Sequence, residues 1–270
     1  MKFLFILIVM GYPLLSQCQE IKHYYKNGQL SLVSNGNNGL FKEFYDDGRP
    51  RSEGYFKHGV KDSIWKSWSE HDGSLSTTYY DSSVIKNIKT YFPNGNIRAD
   101  YNYYESHRRN GLCREWYDNG QLKKEEYFKL GRPRNSRGWY KDGVLRFESN
   151  LKDSIRLNKS YFPNGQLSRD SFEKQKGYRK IQHGTDRYWF ENGQLKQESN
   201  YLDGKSHGTQ KFWNEEGVLV SEGASDMGKP IYAKYYYDSG ILKMEVNYTQ
   251  NASSPNTKCF DEYGNPKGCE

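Results

Sequence analysis

The sequence has few of the residues that build a thick apolar core or a metal site. Only 34% of its 270 residues are hydrophobic, and no long apolar run follows the first ten residues. The four cysteines form no CxxC pair, and the six histidines form no HExxH pattern. The Walker pattern is absent as well, and the single GxSxG match, GKSHG at residues 204–208, lies in a predicted turn between two strands rather than before a helix. We therefore predict a protein that is not an enzyme, with no catalytic residue, no metal and no cofactor.

The charge pattern argues against a nucleic-acid partner. Forty Lys and Arg stand against 33 Asp and Glu, and both signs are interspersed along the chain. No basic block of the kind that follows a phosphate backbone is present. The densest basic stretch, His107, Arg108 and Arg109, is interpreted as a loop tip.

The N-terminus predicts an export signal over residues 1–18. One Lys precedes the apolar run FLFILIVM, and Gly11 and Pro13 interrupt the chain before the composition turns polar. The run is too short to cross a bilayer comfortably. The segment LLSQC resembles a lipoprotein box with Cys18 as the lipidated residue, although Gln17 stands where that pattern has a small residue. The alternative is a buried first strand. We expect a secreted, periplasmic or envelope-anchored protein.

A repeated motif fills residues 19–270. Each of about eleven units has a glycine, usually preceded by Asn or Asp, in a pattern typical of a hairpin turn. Aromatic residues stand four positions before the glycine, and Leu or Ile usually stands two positions after it, so the two should face each other across the strands. The repeat-turn glycines are Gly28, Gly48, Gly73, Gly95, Gly120, Gly143, Gly165, Gly193, Gly217, Gly240 and Gly264.

Second turns lie between these hairpins, for example YFKHG from Tyr55 and YFKLG from Tyr127. Each unit is therefore strand, turn, strand, turn, and helical periodicity is absent outside the signal. The prediction is an all-β fold: an elongated repeat protein with an antiparallel β-meander of hairpin repeats in one long twisted sheet.

Two further columns of the repeat bear on function. An acidic residue recurs five positions after the glycine, as in Glu125 and Glu148, and solubility is a simpler interpretation of it than catalysis or metal binding. A second aromatic recurs three positions before the glycine. It either forms a binding face or is shielded by its neighbours in the sheet. The candidate binding-face aromatics are Tyr45, Phe92, Tyr117, Tyr140, Phe162, Phe190 and Tyr237.

The last two cysteines flank the final turn in CFDEYGNPKGC. A disulfide between Cys259 and Cys269 fits an exported protein and would cap the repeats over residues 256–270, whereas the alternative is two free thiols. Cys113 is left over and is interpreted as a half-buried strand residue.

The units GLCREWYDNGQL and GTDRYWFENGQL resemble the MORN repeat variant, and most closely the bacterial YwqK-like proteins that carry an antitoxin label. The resemblance covers about residues 23–266 and implies a hairpin-repeat fold with no catalytic residues. It leads to a binding scaffold in protein–protein or cell-envelope interaction as the main hypothesis, with a protein partner or an envelope glycan or lipid surface. The alternatives are an antitoxin-like partner of a toxin and, more remotely, a cell-wall enzyme.

Overall fold

The computed structural model describes residues 20–105, 107–176, 179–248 and 254–269. The predicted signal segment 1–18 and Cys18 lie outside these residues. Within them the regular secondary structure is all strand, and no helix could span a membrane. The chain divides into two compact units, residues 1–95 and 96–270.

The first unit is a seven-stranded antiparallel meander in which each strand pairs with the next along the chain. Its strands are β1 (Ile21–Tyr24), β2 (Leu30–Ser34), β3 (Gly39–Phe44), β4 (Pro50–Lys57), β5 (Val60–Trp68), β6 (Leu75–Asp81) and β7 (Val84–Tyr91).

The second unit is a longer meander of the same kind. Its strands are β8 (Ile97–Tyr104), β9 (Arg108–Arg109), β10 (Gly111–Trp116), β11 (Leu122–Lys129), β12 (Arg132–Trp139), β13 (Leu145–Lys152), β14 (Ile155–Tyr161), β15 (Leu167–Lys176), β16 (Arg179–Gln182), β17 (Gly184–Trp189), β18 (Leu195–Leu202), β19 (Lys205–Trp213), β20 (Leu219–Asp226), β21 (Lys229–Tyr236), β22 (Leu242–Asn247), β23 (Asn256–Phe260) and β24 (Pro266–Lys267). The short strands β9 and β16 pair with the ends of β8 and β15, and β10 and β17 continue beside the same partners. The predicted all-β meander of hairpin repeats is thus confirmed.

The repeat turns have the geometry that their glycines require. At Gly120, the glycine N–H donates to the Tyr117 carbonyl at 3.0 Å, and the Tyr117 N–H donates to the Gln121 carbonyl at 2.8 Å. The φ of Gly120 is +85°, and all eleven repeat-turn glycines have φ in the left-handed region. This is the three-residue hairpin that ends in a glycine bulge.

The second turns are tighter. In several of them two consecutive residues have positive φ, as in Leu130 (50°) with Gly131 (79°) and Asp203 (48°) with Gly204 (84°). This is the two-residue type I′ hairpin, whose twist matches that of the strands. Residues other than glycine at such φ values are strained, and a bulky side chain such as Leu130 is an outlier there.

The aromatic and Leu positions face each other as predicted. Trp116 lies opposite Leu122, Trp189 opposite Leu195, and the shifted Trp68 opposite Leu75. Pro50 and Pro266 occupy the Leu position opposite Phe44 and Phe260. A register shift at nearly every such pair places the bulge beside the turn.

The interior of the first unit is a small aromatic cluster. The ring of Trp65 is 5% exposed and lies 5.0 Å from the ring of Phe56 and 5.5 Å from that of Phe41. Gly54 makes room for it, because a Cβ at position 54 would stand 2.2 Å from the Trp65 ring. The Trp65 indole N–H donates to the Tyr55 carbonyl at 3.1 Å.

The interior of the second unit is narrower and more polar. Ser149, Ser171, Asp186 and Ser199 are buried alongside apolar residues such as Cys113. Cys113 is 3% exposed, more deeply buried than the half-buried position expected, and burial raises the pKa of its thiol. Small side chains predominate because a meander with no covering layer can bury only what its own neighbours shield.

Asp186 is fully buried and is held by two donors. Its Oδ2 accepts from Arg169 at 3.1 Å and from Gln182 at 3.0 Å. The Arg169 guanidinium also lies 4.9 Å from the centre of the Tyr188 ring.

The C-terminal cysteines are bonded, with an S–S distance of 2.05 Å between Cys259 and Cys269. Cys259 lies in β23, and Cys269 follows β24, so the bond closes the last hairpin. A closed terminal hairpin limits fraying of the final repeat.

We expect Gly120→Ala to destabilise the protein by about 1–2 kcal/mol, because any other residue is strained in the left-handed region. A Cβ at this position would meet nothing within 4 Å, so the backbone alone carries the cost. Gly268→Ala is the matched control, since Gly268 has equally open space without positive φ. Urea denaturation measures both, and equal midpoints for the two variants would contradict the turn assignment.

Candidate functional site

Within each unit, the candidate binding-face aromatics form a row beside the repeat turns, and all of them are half-buried. The tyrosines of this row donate their hydroxyls to the backbone of the next repeat. Tyr117 bonds the Trp139 carbonyl at 2.9 Å, and Tyr140 bonds the Tyr161 carbonyl at 2.9 Å. Tyr25, Tyr45 and Tyr237 form the same bond to Phe44, Trp68 and Phe260.

A cation covers many of these rings from within the same hairpin. The residue three positions after the turn glycine lies over the ring three positions before it, as in Lys123 over Tyr117 at 5.7 Å and Lys196 over Phe190 at 5.1 Å. Arg51, Arg146 and Lys243 lie over Tyr45, Tyr140 and Tyr237 in the same way. Ring faces and hydroxyls are thus engaged within the protein. This favours the alternative in which the row is shielded by its neighbours, and a binding role for it stays a prediction.

The acidic column is one half of a charged row in the second unit. Carboxylates lie opposite Lys or Arg on the neighbouring strands, so the sign of the charge alternates from one strand to the next. The row runs through Asp100, Arg114, Glu125, Arg137, Glu148, Lys159, Asp170, Arg187, Glu198, Lys211, Glu222, Lys234, Glu245 and Lys258.

The charged row is a structural feature that the sequence interpretation missed. Arg114 contacts Glu125 at 2.8 Å, and Arg187 contacts Glu198 at 2.7 Å. Side chains of this exposure contribute at most about 1 kcal/mol per pair. The signal was present: a Lys or Arg stands six positions before nearly every repeat-turn glycine. The acidic side chains of the column face cations on neighbouring strands and do not point toward one another. No group of three or more potential metal ligands occurs among the described residues.

Two tyrosines link the aromatic positions to the charged row. Tyr161 donates to Glu148 at 3.1 Å, and Tyr236 donates to Glu222 at 3.0 Å. Burial, followed by the hydrogen bond to Glu222, raises the pKa of Tyr236 to about 12. Both hydroxyls therefore stay protonated as donors at neutral pH.

The first unit carries an exposed apolar row on the same face as its charged positions. Leu40 lies opposite Tyr55, and Ile64 lies opposite Tyr79, on the adjacent strands β3 to β6. Between the two pairs, a register shift places Tyr55 opposite Asp62, two residues from Ile64. These four side chains, which we call the apolar stripe, are 41%, 44%, 59% and 46% exposed. Exposed apolar residues that adjoin on neighbouring strands are the usual mark of an interaction surface.

A lysine-rich row borders the apolar stripe, two residues along each strand. It runs through Lys22, Val33, Lys42, Glu53, Lys66, Thr77 and Lys89. Glu53 contacts both Lys66, at 2.8 Å, and Lys42, at 3.9 Å, so one carboxylate serves two cations. In contrast to the charged row of the second unit, this row has four lysines and one carboxylate, although Lys22 also contacts Glu20 at 2.8 Å. On the other border, the carboxylate of Asp62 accepts from the Ser63 hydroxyl and the Ser82 N–H.

We expect Tyr140→Phe to lower the free energy of unfolding by about 0.5–1.5 kcal/mol, because the Tyr161 carbonyl loses its hydroxyl donor. Tyr127→Phe is the control, since the Tyr127 side chain is 48% exposed. Denaturant titration with far-UV circular dichroism measures both. If Tyr140→Phe leaves the free energy of unfolding unchanged, the hydroxyl has no structural role, and the aromatic row is again a candidate binding surface.

A family model described as "MORN repeat variant" matches the chain in five segments, residues 37–58, 109–130, 182–203, 206–224 and 232–250. Together these segments span less than half of the chain. Each contains turns and strands of the meander described above. The matching description names a repeat and gives no support to the antitoxin label. No curated protein matches the chain.

The comparison with solved structures finds the TcdB2–TccC3 complex, at 12% identity over 88% of this chain with a TM-score of 0.19. It also finds TcdB2–TccC3–Cdc42, at 12% identity and a TM-score of 0.18, and a Photorhabdus luminescens Tc holotoxin pore with a TccC3 mutation, at 11% identity and 0.19. The chain spans only 13%, 14% and 15% of the length of these chains. A likeness of this size does not indicate a shared function. The family match shows that five segments of the chain are similar to the MORN repeat variant.

Proposed function

We propose that this chain is a non-enzymatic, exported binding scaffold whose apolar stripe contacts a protein partner. The observation that carries the proposal is the exposure of Leu40, Tyr55, Ile64 and Tyr79 on four adjacent strands. Repeat sheets of this type present extended surfaces, and MORN-type repeats fit that role.

The surroundings of the stripe indicate what the partner offers. The surplus of lysine in the bordering row favours a partner surface that places carboxylates beside apolar side chains. Tyr55 and Tyr79 supply large contact areas with little side-chain entropy, as interface residues commonly do. A protein surface provides both features, whereas a neutral glycan provides no carboxylate for the lysine row.

The same geometry supports a role without catalysis. The acidic side chains of the repeat alternate with cations from one strand to the next, and they do not converge on a cavity. A buried carboxylate does occur at Asp186, but Arg169 and Gln182 hold it within the sheet.

Export is the second part of the proposal. The N-terminal pattern motivates it, and the Cys259–Cys269 bond is consistent with an oxidising compartment. Nothing in the geometry of the described residues favours the antitoxin alternative, which implies a cytoplasmic partner.

A photo-crosslinking amino acid placed at Tyr55 tests the stripe, with the same substitution at Tyr127 as the matched control. Tyr127 occupies the equivalent repeat position in the second unit, at 48% exposure, beside charge-balanced neighbours. We expect a protein adduct from position 55 only, in extracts of the producing cells. The double variant Tyr55→Ser, Ile64→Ser should then weaken binding of the purified partner about tenfold or more. Equal adducts from both positions, or unchanged affinity, would exclude the stripe as the contact surface.

Export is tested by cell fractionation of a C-terminally tagged protein, followed by mass spectrometry of its mature N-terminus. We expect recovery outside the cytoplasm with a chain that begins near Gln19 or at a lipid-modified Cys18, because the apolar segment is a cleaved signal. Recovery in the cytoplasm with Met1 intact would contradict export and would make a cytoplasmic toxin the leading partner.

A further inference from the structure

A basic cavity lies at the second-turn edge of the second unit, on the opposite end of the strands from the repeat turns. Its volume is about 450 Å³, which falls within the range of ligand sites. It is lined by His107, Arg108, Arg109, Phe128, Leu130, Gly131 and Arg132. We call it the arginine cavity. It brings together two chain segments, 107–109 and 128–132, through backbone contacts.

The backbone of the two segments is tied directly. The Gly131 N–H donates to the Arg109 carbonyl at 2.8 Å, and the Leu130 N–H donates to the Asn110 side-chain oxygen at 3.0 Å. The stem of Arg108 packs beside Gly131, with its Cβ, Cγ and Cδ 3.6–3.9 Å from where a Cβ of residue 131 would stand. These contacts fix the positions from which Arg108 and Arg132 extend.

Arg109 is oriented by aromatic rings. Its guanidinium lies 4.0 Å from the centre of the Tyr101 ring and 5.7 Å from that of Phe128. A guanidinium stacked on rings keeps its charge and retains N–H donors at its edge, which is the arrangement that suits oxyanions. Phe128 is 9% exposed and lies at the base of the cavity.

The neighbouring carboxylates are already engaged. Glu126 contacts Lys124 at 3.0 Å and Arg109 at 3.9 Å, while Glu105 hydrogen-bonds to the Tyr104 hydroxyl and thereby raises the pKa of Tyr104. Neither Arg108 nor Arg132 forms an ion pair within the described part of the chain. Arg108 and Arg132 therefore add positive charge to the cavity that no carboxylate of the described residues pairs, whereas Arg109 already contacts Glu126.

Leu130 adds an independent observation. It is 52% exposed at the rim and has a φ of 50°, a conformation that Asn or Gly adopts far more easily. The type I′ turn itself requires this positive φ, which Asp203 and Met227 adopt at the same position, so the feature that bears on a ligand is the apolar side chain exposed beside the arginines.

We propose that the arginine cavity binds a phosphate or sulfate monoester, with Arg108 and Arg132 as donors to the oxyanion, Arg109 adding charge nearby, and Leu130 and Phe128 against its organic part. A planar guanidinium group can donate two parallel N–H hydrogen bonds to the oxygens of a tetrahedral oxyanion. This site is separate from the apolar stripe, so the inference goes beyond the proposed scaffold function and can fail or succeed independently of it.

Cations continue along the same edge from the cavity. Lys152 is the last residue of β13, and Arg179 is the first residue of β16. They therefore lie at the next two second turns along this edge, and both are exposed. Second turns recur every two strands, a spacing of roughly 9.6 Å. The ester could therefore come from a small soluble molecule or from a polymer that carries repeated phosphates along this edge.

Isothermal titration of the purified full chain with phenyl phosphate and with inorganic phosphate, at low ionic strength, tests the site. We expect saturable one-to-one binding, with phenyl phosphate bound more tightly because its ring contacts Leu130 and Phe128. The double variant Arg108→Gln, Arg132→Gln should weaken phenyl phosphate binding about tenfold or more, since charged hydrogen bonds are lost. Absence of saturable binding to the wild-type chain would overturn the proposal.

The matched control is the double variant Lys205→Gln, Lys229→Gln. These lysines follow turn glycines Gly204 and Gly228, as Arg132 follows Gly131, and their replacement removes the same formal charge. Unchanged affinity for phenyl phosphate in the control supports a local site. An equal loss of affinity would mean that binding depends only on the overall positive charge of the unit, and it would overturn the proposal.

Leu130→Asn tests the apolar contact. Asn relieves the positive φ, so the variant should be at least as stable as the wild type, yet its affinity for phenyl phosphate should fall while that for inorganic phosphate stays unchanged. Unchanged affinity for both probes would remove Leu130 from the site. Polyphosphate distinguishes the two sources: an affinity that falls in Lys152→Gln supports a polymer, and one that does not supports a small ester.

Discussion

Cross-strand pairing between neighbouring strands is the interaction on which the rest of this structure depends. In each unit the strands pair in chain order, except that β10 and β17 pair with β8 and β15 beyond the short strands β9 and β16. Few side chains are fully buried in the described residues. A meander of this kind cannot rely on a thick apolar interior, so each repeat must be stabilised by the one beside it. The repeated residues are therefore found where strands meet: the aromatic opposite Leu, the carboxylate opposite a cation, and the glycine in the bulge.

The tyrosine hydroxyls and the charged row extend this coupling from one repeat to the next. Tyr117 reaches the carbonyl of Trp139, a distance of 22 residues along the chain, and the row of alternating charges passes through consecutive strands. Each bond is weak, about 1 kcal/mol or less, but such bonds recur in many of the repeats. Stability then accumulates with the number of repeats, and the hairpin of β23 and β24 is closed by a covalent bond.

The fold was predictable from sequence because its determinants are local. A glycine turn, the aromatic four residues before it and the Leu two residues after it lie within seven residues, and the structure confirms how they pair. The charged row was missed because its cations lie six residues before the glycine and were not counted as part of the motif. The arginine cavity was out of reach for a different reason: Arg109 and Arg132 are brought together by the pairing of separate hairpins. From sequence, His107, Arg108 and Arg109 alone indicated only a loop tip.

A repeated position does not have to play the same role in every repeat. Tyr55 and Tyr127 are equivalent in the motif and nearly equal in exposure, but their neighbours differ. Around Tyr127 the carboxylate and cation pairs are balanced, whereas the row beside Tyr55 has Val33 and Thr77 where the second unit alternates charges. Pairing of the backbone preserves the fold through such substitutions, because it does not depend on side chains. The architecture thus leaves individual surface positions free to diverge, and our proposed binding surface rests on the departures from the motif rather than on the motif itself.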